Sequence, residues 1–300
     1  MSFDQSKVVG YQYPDETVTF NQRELILYAL GIGVHDLKYT YELDKNFAAF
    51  PTYALVLPLK GSYLDINSYA AQSSKTWNIP GMPKINLNKL VHGEQYYEVL
   101  NPLPKTGGKF TLKTKLAGVY DVGKSMVVAT ESTLVDGKGL PLIKMVSSAF
   151  VIGAGGFGGP PKPKAQEIKP PARQPDAVQV DQTHPEQALL YRLSGDYNPL
   201  HADPSIGKRI GMKGAILHGL CTLGFASAAI LKHFAGNDDK LFKSIGGKFS
   251  SPVYPGDKLE TRMWKVSSGK EVVIAFTCFV GEKVVFTGGV CKLHSTDAKL

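Results

Sequence analysis

The stretch YRLSGDYNPLHADP, residues 191 to 204, sets an acid (Asp196), an amide (Asn198) and an imidazole (His201) within one short loop. A carboxylate and an imidazole can both take and give protons near neutral pH, and a carboxamide orients a partner without titrating. Gly195, Pro199 and Pro204 fence the three. The bland reading is a polar surface turn, because Asp, Asn, Gly and Pro are the ordinary turn formers. Position favours chemistry. The loop leads into GMKGAILHGLCTLGF (211–225), the glycine-bearing entry to an apolar helix. The first turn of a helix has N–H groups without partners and a partial positive charge. Gly219 has no side chain to block a ligand carbonyl from its N–H, which makes it an oxyanion-type donor. In this arrangement Asp196 can serve as a general base with His201 as its acid partner, and Asn198 can fix a water between them; the residues alone leave open which of Asp196 and His201 gives and which takes each proton. His218 is read as structural, orienting the helix start.

The elements that must position this loop follow from the pattern around it. Upstream, THPEQALLYRLSG (183–195) reads as a helix, with Thr183 and Glu186 at capping-box spacing, Pro185 in the first turn and Gly195 as the stop. Asp203-Pro204 reads as the start of another. A Gly- then Pro-rich stretch, residues 153–177, cannot hold a regular core element and divides the chain as a linker. Its GAGGFG matches a dinucleotide-binding glycine pattern, but GPPKPK follows where a helix would have to hold the pyrophosphate, so the match is a decoy. The two halves look alike. Each has an apolar segment with a His-Gly pair (His92-Gly93, His218-Gly219), then a Pro-containing strand and a meander with period-two alternation. A helix laid against an antiparallel sheet, made twice, is an α+β arrangement. Only the second half carries the acid-amide-imidazole set.

Bulk composition narrows the class. The chain has 300 residues, 43% hydrophobic and 20% charged, and a net charge of +8, which reads as globular with room for two domains. With no dense Lys/Arg block or RNP motif, the basic surplus fits an anionic small ligand better than nucleic acid. Cys221, Cys278 and Cys291 are odd in number and lack metal spacing, as expected for reduced intracellular thiols. The seven histidines form no ligand cluster, so no metal is expected. The N-terminus has no apolar run of a signal peptide. The longest apolar stretch carries His218 and many small residues, as a buried helix rather than a membrane span.

RLSGDYNPLHADP followed by GAILHGLCTLGF resembles the type-2 enoyl-CoA hydratases, the (3R)-specific, MaoC-like group. RELILYALGIG (23–33), FPTYALVLP (50–58), LVHGEQYYEVLNPLP (90–104) and KFSSPVYPGDKLETRMW (248–264) resemble further segments of that family in the same order, over nearly the whole chain. The resemblance implies a double hot-dog fold, two antiparallel sheets each wrapped on a central helix. It implies a non-catalytic N-terminal half (1–152) that accommodates the acyl chain, the linker at 153–177 and a catalytic half at 178–294. By position, Asp196, Asn198 and His201 match the family's acid, amide and histidine, and Gly219 matches the glycine that polarises the thioester. His92, Gly93 and Phe249 match positions lining the acyl-CoA. Lys248 is placed to meet the CoA phosphates by our own inference, and a lysine contact of the family's N-terminal half falls near Val122 or Lys124, depending on a small gap, which leaves Lys124 as a candidate outside the catalytic set.

The implied reaction is reversible hydration of trans-2-enoyl-CoA to (3R)-3-hydroxyacyl-CoA, with CoA entering as part of the substrate and no resident cofactor. The rivals are a (3R)-hydroxyacyl-thioester dehydratase of fatty-acid synthesis, a thioesterase and a silent acyl-CoA-binding protein. Ala298-Lys299-Leu300, in the tail 295–300, resembles the S-K-L peroxisomal address read by an import receptor. A peroxisomal role in β-oxidation and a homodimer are therefore expected. The two halves leave no room for a dinucleotide-binding dehydrogenase domain, so such a partner enzyme is expected on a separate chain.

Overall fold

The computed structural model describes residues 3–295 except 68, 70–78, 84, 87, 88 and 165–167; the tripeptide 298–300 lies outside the described residues. Ten strands form one antiparallel sheet. They are β1 (Glu16–Phe20), β2 (Leu90–Val99), β3 (Gly108–Asp121), β4 (Ser125–Val135), β5 (Pro141–Ile152), β6 (Ala177–Gln182), β7 (Phe242–Phe249), β8 (Lys258–Ser268), β9 (Glu271–Val280) and β10 (Lys283–His294). The spatial order is β1-β3-β4-β5-β2-β7-β10-β9-β8-β6. Read outward from the middle, the two halves have the same topology, so the duplication seen in the sequence is real at the level of strands. The two five-stranded sheets join edge to edge through β2 and β7, in the register Glu94↔Lys248 to Glu98↔Ser244. This pairing covers an edge of each half that would otherwise present unpaired backbone groups.

Among the described residues the α-helices are α1 (Gln22–Gly31), α2 (Leu37–Thr40), α3 (Leu57–Lys60), α4 (Gln187–Arg192), α5 (Pro204–Arg209) and α6 (Gly219–Ala235). α6 is the apolar stretch that neared membrane-spanning length. It is buried along most of its length and ends at Gly236 in the left-handed conformation. Among the described residues no helix is long and apolar enough to cross a membrane. One hydrophobic core runs through both halves, from Phe20 and Tyr28 to Leu223, Ile245 and Phe286. Its centre holds fully buried tyrosines from both sides of the linker, with Tyr28 and Tyr191 ring to ring at 5.9 Å. All three cysteines are free and buried.

Two local expectations change in the structure. The two His-Gly pairs are not equivalent: His92-Gly93 lies within strand β2, whereas His218-Gly219 opens helix α6. The strand equivalent to β2 is its pairing partner β7. The expected capping box before α4 does not form. Glu186 is the N-cap and its side chain makes no cap hydrogen bond. The Thr183 hydroxyl instead donates to the Asp257 carbonyl (2.7 Å) and accepts from Gly256 N–H (3.0 Å), tying the approach to the loop onto the turn before β8. Thr183→Val keeps the shape and removes both side-chain hydrogen bonds, while the Asp257 carbonyl keeps the Thr183 N–H. It should cost about 1 kcal/mol in urea unfolding. Finally, the decoy glycines fold onto a carboxylate of the chain itself. Asp121 accepts from Gly123 N–H (3.0 Å), Gly156 N–H (3.1 Å) and Gly158 N–H (3.2 Å), so the donors that a pyrophosphate would need are occupied.

The linker is a strap rather than a loose tether. Lys162 pairs with Glu94 of β2 and lies over the Phe150 ring, and farther on Trp264 Nε1–H donates to Arg173 O (2.9 Å).

Candidate active site

Helix α4 delivers the chain to Gly195, whose φ of +131° is strained for any other residue. A Cβ there would stand 2.5 Å from Lys60 Cβ and 3.0 Å from Lys60 Cα. Gly195 thus lets the loop sit directly on the backbone of α3. Lys60 itself is buried, with its Nζ 3.0 Å from Glu24 Oε1 and donating to Thr19 O at 2.6 Å. Glu24 in turn completes a capping box with Asn21 at the start of α1. The floor of the loop is therefore a buried ion pair from the other half of the molecule.

The loop is a chain of side-chain caps. The Asp196 carboxylate accepts from Asn198 N–H (3.2 Å). The Asn198 side-chain oxygen accepts from Leu200 N–H (3.0 Å), capping a single 3-10 turn, Pro199–His201. That use of its oxygen leaves the Asn198 NH2 as the end able to donate to a ligand. Asp203 caps α5 through Ser205 N–H (2.8 Å), as the Asp-Pro pair suggests. His201 Nδ1–H donates to Ile216 O (2.9 Å). A carbonyl only accepts, so Nδ1 holds the proton of the neutral ring and Nε2 keeps a lone pair. The turn chemistry of this stretch and its acid-amide-imidazole set are one device: the turn aims the three side chains.

His218, the N-cap of α6, brings the loop and the helix together. Its Nε2–H donates to the Asp196 carbonyl (3.2 Å), and its ring stacks on His201 with centroids 3.7 Å apart and planes 26° apart. Burial is the main reason that its pKa falls from 6.5 to about 3, with the neighbouring His201 charge acting in the same direction. The group is thus neutral in the folded protein at working pH. Between pH 6.5 and about 3 the unfolded chain binds a proton there that the folded chain refuses, so this group withdraws stability as pH falls through that window. Urea titrations across the window should show a shallower acid loss for His218→Phe than for the wild type.

Gly219 follows, at the first helical position. Among the described residues nothing accepts its N–H. A Cβ on Gly219 would lie 2.9 Å from the Phe249 ring, so the bare Cα lets Phe249 of β7 lie across the helix start. His92 of β2 meets Phe249 edge to face at 5.0 Å and donates from Nε2 to Glu94 O (3.2 Å). Burial lowers the His92 pKa against the opposing pulls of that carbonyl and of the Asp196 charge. The site therefore straddles the β2–β7 seam, with Asp196, Asn198, His201, Gly219 and Phe249 from one half and His92 from the other.

Three residues singled out in the sequence stand apart. The missing side chain of Gly93 makes room for the Phe150 ring, 2.3 Å from where its Cβ would be, which is a packing reason. Lys248 lies opposite Glu94, and strand alternation puts it on the other face of the sheet from Phe249. Lys124 is exposed in the β3–β4 turn, where its carbonyl accepts from Gly153 N–H at 2.9 Å. Two contributors had no sequence signal. One is Lys60 under Gly195. The other is Tyr69, whose pKa is raised by burial first and by the Asp196 charge second.

Asp196, His201 and His218 bring ligand-type atoms within 4.8 Å of one another. A metal lies in the plane of each imidazole that binds it. Two rings stacked at 3.7 Å and 26° lie face to face and do not point their edges at one ion. The donor set does not suit a shared metal.

Residues 18–153 match the family profile described as MFE-2 hydratase 2 N-terminal domain, and residues 165–285 match the MaoC like domain. A Dictyostelium discoideum protein named probable enoyl-CoA hydratase 2 is 38% identical over 272 residues, covering 89% of each chain. The chain belongs to the MaoC-like enoyl-CoA hydratase 2 family. The crystal structure of a MaoC-like dehydratase from Phytophthora capsici superposes on this chain with a TM-score of 0.91, at 42% identity over 98% of this chain and 99% of that one. A Drosophila melanogaster protein named peroxisomal multifunctional enzyme type 2 is 40% identical over 294 residues, covering 95% of this chain. The chain spans about half of that relative's length (48%). A Mycobacterium tuberculosis protein described as a double hot-dog fold, 12% identical with a TM-score of 0.62, shares the fold.

Proposed function

We propose that this chain catalyses the reversible hydration of trans-2-enoyl-CoA to (3R)-3-hydroxyacyl-CoA. The observation that carries the reading is the convergence at the start of α6 of an open backbone donor, Gly219 N–H, with Asp196 and the His201 Nε2 lone pair. The substrate's thioester oxygen accepts from Gly219 N–H, which draws charge from the β-carbon and stabilises the enolate-like transition state. One such donor contributes about 3–4 kcal/mol. The Asn198 NH2 donates to the attacking water. As the water oxygen bonds to the β-carbon, the proton that the water loses is taken up by Asp196 or by the His201 Nε2 lone pair and passes from the pair to the α-carbon, so that one water supplies both the OH and the H of the product. The proton count of the site is unchanged over the cycle.

Phe249 and His92 form the wall beside the acyl thioester. The acyl chain runs toward the N-terminal half, and the CoA phosphates draw on the basic surplus, with Lys248 and Lys124 as candidate contacts. CoA arrives with the substrate, so the reaction calls for no resident cofactor or metal. Peroxisomal β-oxidation is the proposed setting, supported by the names of the Drosophila relative and of an Arabidopsis thaliana relative, enoyl-CoA hydratase 2, peroxisomal. Recognition of Ala298-Lys299-Leu300 by an import receptor and a homodimeric state belong to the same proposal.

The test is turnover of a medium-chain trans-2-enoyl-CoA, followed by loss of the conjugated enoyl absorbance and chiral resolution of the product. A (3R)-hydroxyacyl-CoA product supports the reading. Free CoA released with the double bond intact would make the chain a thioesterase, and binding without turnover would make it an acyl-CoA carrier.

A further inference from the structure

A helix N-cap is usually Ser, Thr, Asp or Asn, whose side chain folds back to accept a first-turn N–H. Helix α6 has His218 there, and its side chain makes no cap hydrogen bond. Two consequences follow. The Gly219 N–H stays open toward the site, and no carboxylate stands where negative charge develops on the substrate oxygen. The side chain is directed instead to the loop. Its Nε2–H holds the main-chain carbonyl of Asp196 at 3.2 Å. One face of its ring is stacked on His201 at 3.7 Å, and the Tyr191 ring lies 4.9 Å away. The ring is 1% exposed. A single side chain therefore touches the backbone of one proposed proton carrier and the ring of the other, and its own main chain is joined to Gly219.

We propose that His218 is the positioning residue of the hydration reaction, holding Asp196 and His201 in register with the Gly219 N–H. The proposal rests on the hydratase reading above. His218 exchanges no proton with the substrate, and it acts chiefly through the donor at Nε2, with the stack as the lesser contact. The donor sets where the Asp196 main chain stands, and hence the distance from its carboxylate to the water. The stack sets the tilt of His201, whose other anchor is the Ile216 carbonyl.

The variants separate these contributions. His218→Phe keeps a planar ring for the stack and removes the donor. His218→Gln keeps an N–H donor at about the reach of Nε2 and removes the ring. With trans-2-enoyl-CoA, His218→Phe should lower kcat about tenfold to a hundredfold with KM within about threefold, because misplacing reacting groups by an ångström has that order of effect. His218→Gln should recover at least half of that loss on a logarithmic scale. Thermal unfolding of both variants reports whether the fold is kept. Should His218→Phe not fold, His218→Asn takes its place, since its shorter amide does not reach the Asp196 carbonyl.

Loss of kcat in the donor-free variant with recovery in His218→Gln supports the positioning role. Phe and Gln variants that fall alike, or a donor-free variant within twofold of wild type, overturn it. Wild-type protein without hydration activity overturns the hydratase reading and this proposal together, so the two failures are told apart by the wild-type control.

Discussion

Asp196→Asn lowers kcat for trans-2-enoyl-CoA hydration by about a thousandfold, the middle of the range for removal of a positioned proton carrier. The substitution is nearly isosteric. Its side-chain oxygen still accepts from Asn198 N–H, so the cap that shapes the loop persists, and the His218 contact to the main-chain carbonyl does not depend on the side chain. What disappears is the negative charge and the capacity to carry a proton. The melting temperature should stay within a few degrees of wild type, and KM should change far less than kcat, because the lost interaction is made in the transition state. Steady-state kinetics beside a thermal melt checks both. A variant that keeps more than a tenth of wild-type kcat would remove Asp196 from the proton path and leave His201 as the sole carrier.

The second large effect is on stability and lies beneath the loop. Lys60→Met preserves the length of the side chain and leaves Glu24 buried without its cation. Removing one member of a buried pair costs about 3–5 kcal/mol, because the remaining charge is held away from water with no counterion. The neutral pair Glu24→Gln with Lys60→Met should recover a good part of that cost, and the coupling between the two sites should exceed about 1 kcal/mol in a double-mutant cycle. Urea unfolding of the four proteins measures it. Additive effects would mean that the pair does not act as a unit. Because Gly195 rests on the Lys60 backbone, the single variant should also lose activity at temperatures well below its melting point. The ion pair spans the two halves in function, with its charges in the N-terminal half and the loop it supports in the other.

The site loop was legible in the sequence because its information is local. Asp196, Asn198 and Asp203 each bond a backbone N–H two residues on, and such Asx contacts depend on neighbours in the chain rather than on the rest of the molecule. The rejection of the glycine-rich decoy was local too, since Pro160 and Pro161 forbid the helix that a pyrophosphate site requires. The α+β class and the duplication came from periodicity, and periodicity survives in the strand order. The capping box at Thr183 failed for the opposite reason. Its spacing was right, but the hydroxyl found a better-placed pair of partners 73 and 74 residues away.

What the sequence by itself determined, then, is the chemistry of the site: which acid, amide and imidazole share a loop, and which helix start faces them. What only the tertiary structure decided is how that chemistry is held. The fusion of two sheets into one, the opposing faces of Lys248 and Phe249, the stacking of His218 on His201 and the Glu24–Lys60 pair under Gly195 are contacts between residues far apart in the chain. Their energies come from burial and from pairing of buried polar groups, which depend on what the folded chain brings alongside and leave little mark on the local residue pattern.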